Sequence, residues 1–235
     1  MPSFKNSNLF QAWLVLLLAT AFGSALAGIQ TKLGPVIEAN KTRETLAKIP
    51  ALVLGEDQAR ELSRQKKSLS ITPRTIEIEQ NGIKKFYTIY DAAFEDGTLA
   101  GHVAKASGQG YADKIELLVG LDADGRSITG LFILDQKETP GLGNRILEKP
   151  WRDQFLDKSS ATRLVVVKGN SGRENEIDAI SGATISSRSV TGIVNTTIAN
   201  IKAQLVSPPK QATNEQKVQE NEAQQNEAGK IKENT

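Results

Sequence analysis

The stretch that decides the fold is KIELLVGLDADGRSITGLFIL, residues 114–134. Strand-like apolar runs lie on either side of Asp122-Ala123-Asp124-Gly125, which is typical of a tight turn. Upstream, residues 74–90 alternate polar and apolar around Asn81-Gly82, a strong hairpin signal. A further strand is expected at 99–104. Consecutive strands joined by short turns predict an antiparallel sheet.

Downstream of the strands, the apolar spacing changes to that of a helix. From Thr184 onward one apolar stripe predicts an amphipathic helix that packs on the sheet and ends before Pro208-Pro209. A short helix is expected at 151–156 and a short buried strand at 164–167. The sequence therefore predicts an α+β domain, an antiparallel sheet packed by helices. The stripe consists of Val190, Ile193, Val194, Ile198, Ile201 and Leu205.

The N-terminal apolar run has the length of a membrane span, with no charge between residues 9 and 29. Ala25-Leu26-Ala27 leaves a cleaved signal peptide open as the alternative to an anchor, which is the favoured interpretation. Helix is expected beyond the span, broken near Pro35 and Pro50. The predicted organisation is a short cytoplasmic N-terminus at 1–8, a transmembrane helix at 9–29, a helical connector at 30–73, a domain at 74–206 and a disordered polar tail at 207–235.

Composition excludes several kinds of chemistry. The 235 residues contain no Cys and one His, His102, so thiolate metal sites, disulfide scaffolds and multi-histidine metal sites within the chain are excluded. We interpret His102 as a surface or satisfied strand histidine. A net charge of +2 gives no global attraction to nucleic acid. Neither a catalytic residue nor a metal site is predicted.

Two segments stand out as candidates for ligand binding. Residues 178–186, DAISGATIS, form a loop of small residues that opens onto the amphipathic helix, where free backbone N–H groups favour a phosphate. Ordinary helix capping explains the same residues. Residues 137–144, KETPGLGN, form an irregular turn that equally suits a loop without a ligand.

Taken together, these segments resemble the FMN-binding domain of the G subunit of the Rnf ion-translocating electron-transport complex. The C subunit of the sodium-pumping NADH:quinone reductase is a more distant relative. The resemblance covers residues 10–205 and includes GYADKIELLVGLDADG, ETPGLG and Asp-x-x-Ser-Gly-Ala-Thr. Where relatives commonly have glycine two residues after Gly-Tyr, this chain has Asp113, which leaves the backbone conformation there open.

The resemblance implies that FMN is held by a phosphoester to the hydroxyl of Thr184, formed by a separate flavin transferase from FAD with magnesium. Ser186 is the fallback acceptor, and Asp178 would belong to the sequence that the transferase reads. The ETPGLG loop would line the flavin or its approach. The implied cofactor-binding residues are Thr184, Ser181, Gly182, Ala183, Glu138, Thr139, Gly141 and Leu142.

The resemblance also implies a function, an electron-carrier subunit of a membrane complex that couples ferredoxin and NAD oxidation–reduction to ion transport. The chain would be single-pass in the inner membrane, in contact with lipid and with the other subunits, with its N-terminus cytoplasmic and its flavin domain on the outer face. It is not expected to be catalytic alone. Alternatives are the quinone-reductase C subunit, a stand-alone exported flavoprotein, and a non-redox exported scaffold in which SGAT only caps a helix.

Overall fold

A computed structural model describes residues 8–80, 82–169 and 172–205. The predicted tail at 207–235 lies outside the described residues, as do residues 1–7. The helices are α1 (Asn8–Leu54), α2 (Glu56–Arg64), α3 (Lys149–Arg152) and α4 (Thr184–Leu205). The strands are β1 (Ser70–Gln80), β2 (Ile83–Ala93), β3 (Leu99–Gln109), β4 (Lys114–Asp122), β5 (Ile128–Asp135), β6 (Val165–Val167) and β7 (Glu176–Asp178).

Strands β1 to β5 form one antiparallel sheet in chain order, so the predicted meander is confirmed. β1 and β2 pair from Ser70 opposite Ala93 to Gln80 opposite Ile83, and Gly82 takes a φ of +73° in the turn between them. This positive φ is the reason the hairpin needs glycine there. β1 begins at residue 70 rather than at the expected 74, and β3 continues to residue 109.

Helix α4 covers one face of the sheet, as its apolar spacing predicts. Residues one turn apart along α4 are buried, Val190 and Val194 completely and Ile198 almost so. They pack against strand residues such as Leu117 and Val119, which are also inaccessible to solvent. This packing fixes where α4 begins, and hence where residues 178–187 lie.

The last turns of α1 cover the opposite face, where glycines in neighbouring strands let the helix approach closely. A Cβ atom at Gly120 would lie 2.5 Å from the carbonyl oxygen of Leu52, and one at Gly130 would lie 2.8 Å from Leu52 Cδ2. In β3, a Cβ atom at Gly101 would lie 2.8 Å from Val53 Cγ1. Side chains at these strand positions would push the helix off the sheet.

The direction of α1 relates the sheet to the apolar segment. Lys41 Nζ lies 3.9 Å from Asp135 Oδ2 at the end of β5, whereas Leu52 lies over Gly130 near the start of that strand. Helix α1 therefore runs antiparallel to β5. As a result, the end of the sheet at which β5 terminates, at Asp135, is the end nearest the apolar segment 9–29.

The expected breaks near Pro35 and Pro50 are not observed, because α1 is continuous from residue 8 to residue 54. An interior proline removes one backbone hydrogen bond, at a cost of about 3 kcal/mol. Next to Pro50, burial of Ile49 and Leu52 against the sheet offsets that cost. The predicted connector is thus not separate from the domain, since its residues 45–54 contribute to the core.

Among the described residues, α1 is also the helix that is long and apolar enough to cross a membrane by length and composition. Its most apolar 18-residue window has a mean hydropathy of 2.0, and none of that window is buried. The apolar side chains of this segment therefore have no protein partner within the described chain.

The segment between β5 and α4 differs most from the prediction. A short helix, α3, and a 3₁₀ turn at Asp153–Phe155 occupy the expected helical region. The expected strand at 164–167 is β6, but it is not buried, since Val165 is 47% exposed. It pairs in parallel with β7, which was not predicted. β7 leads directly into the loop before α4.

Candidate functional site

Three loops meet at the sheet end nearest the apolar segment. They are the turn after β3 at 110–113, the loop after β5 at 136–143, and the loop and first turn of α4 at 178–187. The sheet register brings the first two together, because Glu116 near the start of β4 lies opposite Asp135 at the end of β5. Thus the structure brings the ETPGLG and SGAT segments to one place.

A buried carboxylate joins the three loops. Glu138 is only 4% exposed, and its Oε1 accepts hydrogen bonds from the backbone N–H groups of Tyr111 at 2.8 Å and Ala112 at 3.2 Å. Its Oε2 accepts a hydrogen bond from the hydroxyl of Ser186 at 2.6 Å. Glu138 therefore lies beneath the loop surface and ties the loops together.

Gly143 closes the contact between the ETPGLG loop and α4. A Cβ atom at Gly143 would lie 2.7 Å from Ser186 Oγ and 2.8 Å from Glu138 Oε2. Only glycine leaves room for the hydrogen bond between these two side chains. In the same loop, Gly141 has a φ of +75°, and its N–H donates to Asn144 Oδ1 at 2.8 Å.

The hydroxyl of Ser187, in the first turn of α4, holds the preceding loop against the helix. The hydroxyl of Ser187 accepts a hydrogen bond from the N–H of Ile180 and donates to the carbonyl of Ala183, both at 3.0 Å. Gly182 turns the loop with a φ of +79°. The first helical hydrogen bond runs from the N–H of Ser187 to the carbonyl of Ala183, so the three N–H groups of residues 184–186 have no acceptor within the helix.

The hydroxyl groups of this loop differ in availability. Thr184 is half-buried, and no described residue forms a hydrogen bond with its hydroxyl. The hydroxyl of Ser186 is buried and committed to Glu138. Ser181 is exposed but precedes the helix by three residues. The Thr184 hydroxyl is thus the one placed at the helix start and left available.

Each of the three loops exposes one large apolar side chain. Tyr111, Leu142 and Ile185 are 63%, 46% and 53% exposed, and each belongs to a different one of the three loops. A Cβ atom at Gly182 would lie 3.0 Å from Leu142 Cδ2, so Leu142 lies directly over the SGAT turn. Exposed apolar groups gathered from separate segments indicate a surface that a flat apolar ligand would cover.

Asp178 is held in place by its backbone at the end of β7. Its N–H donates to Gln154 Oε1 at 2.7 Å, and its carbonyl accepts a hydrogen bond from the indole N–H of Trp151 at 2.9 Å. Thr139 shapes the neighbouring loop, since its carbonyl accepts the N–H groups of Leu142 and Asn144, both at 3.2 Å. Both segments enter the site with defined backbone positions.

Asp113, where the resemblance left the backbone conformation open, is accommodated without a positive φ. Its carboxylate pairs with Lys137 Nζ at 2.7 Å and accepts the N–H of Lys114, also at 2.7 Å. The hydrogen bond from Lys137 and that from Lys114 hold the pKa of Asp113 below its usual value. The aspartate thus adds a salt bridge between two of the loops.

His102 belongs to a separate polar cluster at the other end of α4. It is 4% exposed, and its Nδ1 lies 2.5 Å from Asp91 Oδ1, while Arg74 Nε donates to Asp91 Oδ2 at 2.6 Å. Arg74 also donates to the carbonyl of Gln204 at 3.2 Å. This histidine is therefore a buried strand residue with one nitrogen bonded, and no described residue bonds its Nε2.

We expect Asp91→Asn to lower the free energy of unfolding relative to the wild type, and to lower it more at neutral pH than in acid. Burial alone raises the pKa of Asp91, but hydrogen bonds from His102 and Arg74 outweigh it and lower the pKa. A lowered pKa stabilises the fold above the unfolded value of about 4 and loses this effect as pH falls through the folded value. Urea unfolding of the full-length chain in detergent should show a loss of about 2 kcal/mol at pH 7 that shrinks in acid.

The control for this prediction is Asp124→Asn, because Asp124 is exposed and, within the part of the chain that the structure describes, its carboxylate forms only a 3.8 Å pair with Arg126. We expect it to change the free energy of unfolding by less than about 0.5 kcal/mol at either pH. A loss at Asp91 that stays constant between neutral and acid pH would contradict the prediction.

Comparison with known proteins identifies the family. Residues 110–199 match the family model of the FMN-binding domain, and this range contains all three loops of the site. Over 134 residues the chain is 31% identical to the G subunit of the ion-translocating oxidoreductase complex of Methanosarcina acetivorans, covering 57% of this chain and 67% of that protein. The chain belongs to the G-subunit family of ion-translocating oxidoreductase complexes. As a member of this family, it contains an FMN-binding domain.

Other relatives of this G-subunit family member are subunits of Na(+)-translocating complexes. The chain is 45% identical over 105 residues to the G subunit of the Na(+)-translocating ferredoxin:NAD(+) oxidoreductase complex of Acetobacterium woodii, covering 44% of this chain and 50% of that protein. It is 32% identical over 151 residues to the C subunit of the Na(+)-translocating NADH-quinone reductase of Neisseria meningitidis, covering 60% and 55%. The match to the Acetobacterium protein therefore spans half of that protein's length.

A solved structure shares the fold of this G-subunit family member. The crystal structure of Shewanella oneidensis NqrC superposes with a TM-score of 0.55 at 19% identity, covering 71% of this chain and 98% of that one. At this identity the likeness supports the fold. The predicted α+β arrangement is thereby confirmed.

Proposed function

We propose that the chain is an electron-carrier subunit of a membrane-bound Rnf-type complex, with FMN attached through a phosphoester to Thr184. The observation that carries this proposal is the unengaged hydroxyl of Thr184 at the start of α4, inside the range that matches the FMN-binding family. The other hydroxyl considered, Ser186, is buried and donates to Glu138, which argues against it as the acceptor.

The residues around Thr184 fit the phosphate of FMN. The N–H groups of residues 184–186 are free of helical acceptors, and the positive end of the α4 dipole favours an anion at this position. Gly182 gives the turn before the helix its positive φ and lets Leu142 approach closely. Two small residues precede the attachment point, Ser181, which is exposed, and Ala183, which is buried.

The apolar residues on the surface fit the ring system of FMN. Tyr111, Leu142 and Ile185 are exposed on the three loops that meet at this end of the sheet, and a tricyclic aromatic ring would cover them. When bound, FMN supplies the oxidation–reduction chemistry, and this chain supplies position and surroundings. Thr139 and Gly141 shape the loop that presents Leu142, while Glu138 holds that loop from beneath.

The fold also determines which way the site faces relative to the apolar segment of α1. The loops of the site lie at the Asp135 end of the sheet, and Lys41 of α1 contacts Asp135. If residues 9–29 cross the membrane, the site faces the membrane rather than away from it. From Ile29 to Lys41, a helix rising 1.5 Å per residue spans about 18 Å. Such a position suits a carrier that exchanges electrons with membrane-embedded subunits.

The proposed topology follows from the same arrangement. The chain would be anchored in the cell membrane by one span, with its N-terminus cytoplasmic and its flavin domain on the outer face. Maturation would require a flavin transferase, and Asp178 would belong to the sequence that it reads. Ion transport would take place in partner subunits, because a single span without charges within it is a poor path for ions.

A second candidate is a C subunit of the sodium-pumping NADH:quinone reductase type. It is favoured by the similarity to the Neisseria protein and by the shared fold of the Shewanella structure. The two candidates share the covalent flavin and the single span. The subunits that purify with the chain from native membranes distinguish them.

The test of the proposed function is to co-express the full-length chain with a flavin transferase and to measure its intact mass. We expect one FMN adduct, a yellow protein, and absorbance that is bleached by dithionite and restored by oxygen. A colourless protein of unmodified mass would contradict the proposal and favour a non-redox scaffold. The same mass shows whether residues 1–27 are retained.

A further inference from the structure

We propose that Arg188 pairs with the phosphate on Thr184 and so holds the attached flavin in place. This inference rests on the proposed attachment of FMN to Thr184. Arg188 lies four residues after Thr184 in α4 and is exposed. No described residue forms a hydrogen bond or an ion pair with its side chain.

Arg188 differs in this respect from the other cations around the site. Lys137 pairs with Asp113 at 2.7 Å, and Arg145 pairs with Glu148 at 3.2 Å. The first pair joins two loops of the site, and the second joins two residues three positions apart in one segment. The guanidinium of Arg188 is left available to a ligand.

Helix geometry directs Arg188 toward Thr184. Side chains on an α-helix lean toward its N-terminus, so the side chain of a residue covers the turn that precedes it. An anion at position i with a cation at i+4 is also the favourable order for an ion pair on a helix. A phosphate at residue 184 and a guanidinium at residue 188 satisfy both conditions.

Electrostatics favours the pairing of Arg188 with a phosphate on Thr184. A cation near a helix N-terminus is disfavoured by the helix dipole unless an anion accompanies it. The phosphate, in turn, would lie two residues from Ser186, whose hydroxyl donates to the carboxylate of Glu138, and this negative charge repels it. A guanidinium offsets that repulsion and binds phosphate oxygens through two parallel hydrogen bonds, which a lysine does not reproduce.

The experiment compares the flavinylated full-length chain with its Arg188→Gln, Arg188→Lys and Arg126→Gln variants in detergent. The readouts are the ³¹P resonance of the phosphodiester and the local motion of the flavin from time-resolved fluorescence anisotropy. We expect Arg188→Gln to shift the resonance and to increase the freely moving fraction of flavin about two- to fivefold, as the loss of an exposed ion pair would. Arg188→Lys should lie between Gln and the wild type.

Arg126→Gln is the matched control, because Arg126 is exposed and pairs with Asp124 far from the site. It should leave both readouts unchanged. If Arg188→Gln matches the wild type in both, the proposal for Arg188 is overturned while the proposed function stands. If the wild type itself carries no phosphodiester, both fail together.

A second measurement decides the case in which Arg188→Gln accepts no flavin. Thr184→Glu places a carboxylate at the attachment position without any flavin. A double-mutant cycle with Arg188→Gln, followed by urea unfolding, should give a coupling of about twofold in the unfolding equilibrium. Absence of coupling would overturn the proposal, since it would show that Arg188 does not reach an anion at residue 184.

Discussion

Thr184→Ala is expected to abolish the covalent flavin completely. The substitution removes the only hydroxyl at the start of α4 that no described residue engages, and with it the oxygen of the phosphoester. Alanine is the best helix former, so the variant should fold as the wild type does. After co-expression with a flavin transferase, denaturing gel electrophoresis should show no flavin fluorescence, and the intact mass should match the bare polypeptide.

Two matched variants separate attachment from general effects on the loop. Ser189→Ala removes another hydroxyl of α4, five residues after Thr184, and should retain full fluorescence. Ser186→Ala removes the hydroxyl that donates to Glu138, so it should retain the flavin but lower the free energy of unfolding by about 1 to 2 kcal/mol. Undiminished fluorescence in Thr184→Ala would reject Thr184 as the site of attachment.

Glu138→Ala is expected to have the largest effect on stability among the variants considered. The substitution leaves the buried hydroxyl of Ser186 and the partly buried N–H groups of Tyr111 and Ala112 without their acceptor. Unsatisfied buried groups of this kind cost about 1 to 3 kcal/mol each, so we expect a loss of about 3 kcal/mol or more. Urea unfolding of the full-length chain measures it. Flavin attachment should fall as well, because the loop over Gly182 is released.

Glu138→Gln tests the reason for that loss. The amide oxygen still accepts from the two N–H groups, and the amide nitrogen donates to Ser186, so the loss should be about 1 kcal/mol. Glu148→Ala is the surface control, since the Glu148 side chain is half-exposed and Arg145 is its one ion-pair partner among the described residues. Equal losses for Glu138→Ala and Glu148→Ala would show that the buried carboxylate does not hold the loops.

Local sequence signals predicted the sheet and α4 correctly. The hairpin around Gly82 and the meander on either side of Asp122–Gly125 follow from alternation and turn residues a few positions apart. The stripe that includes Val190 and Ile198 gives α4 in the same way. These features depend on neighbours in sequence, and neighbours are what a single sequence displays.

Contacts between distant residues were not predictable in this way. Nothing in the sequence links Glu138 with Ser186, 48 residues apart, because carboxylates and serines are usually exposed. The parallel pairing of β6 with β7 also depends on tertiary placement of two three-residue strands. The hydrogen bond from the N–H of Ile180 to the hydroxyl of Ser187, seven residues later, had only a weak signal in the sequence.

The unbroken course of α1 has a consequence for how such a subunit varies. Because the helix continues from the apolar segment to the glycines beneath Leu52, each residue inserted between Ile29 and Lys41 turns the whole domain about the helix axis by about 100° and lifts it by about 1.5 Å. The distance of the domain from the membrane and its rotation about the helix axis therefore change together. Length changes of three or four residues bring the domain back to within about 60° of its original orientation, whereas a change of one or two residues rotates it by about 100° or 200° and presents a different side to its neighbours.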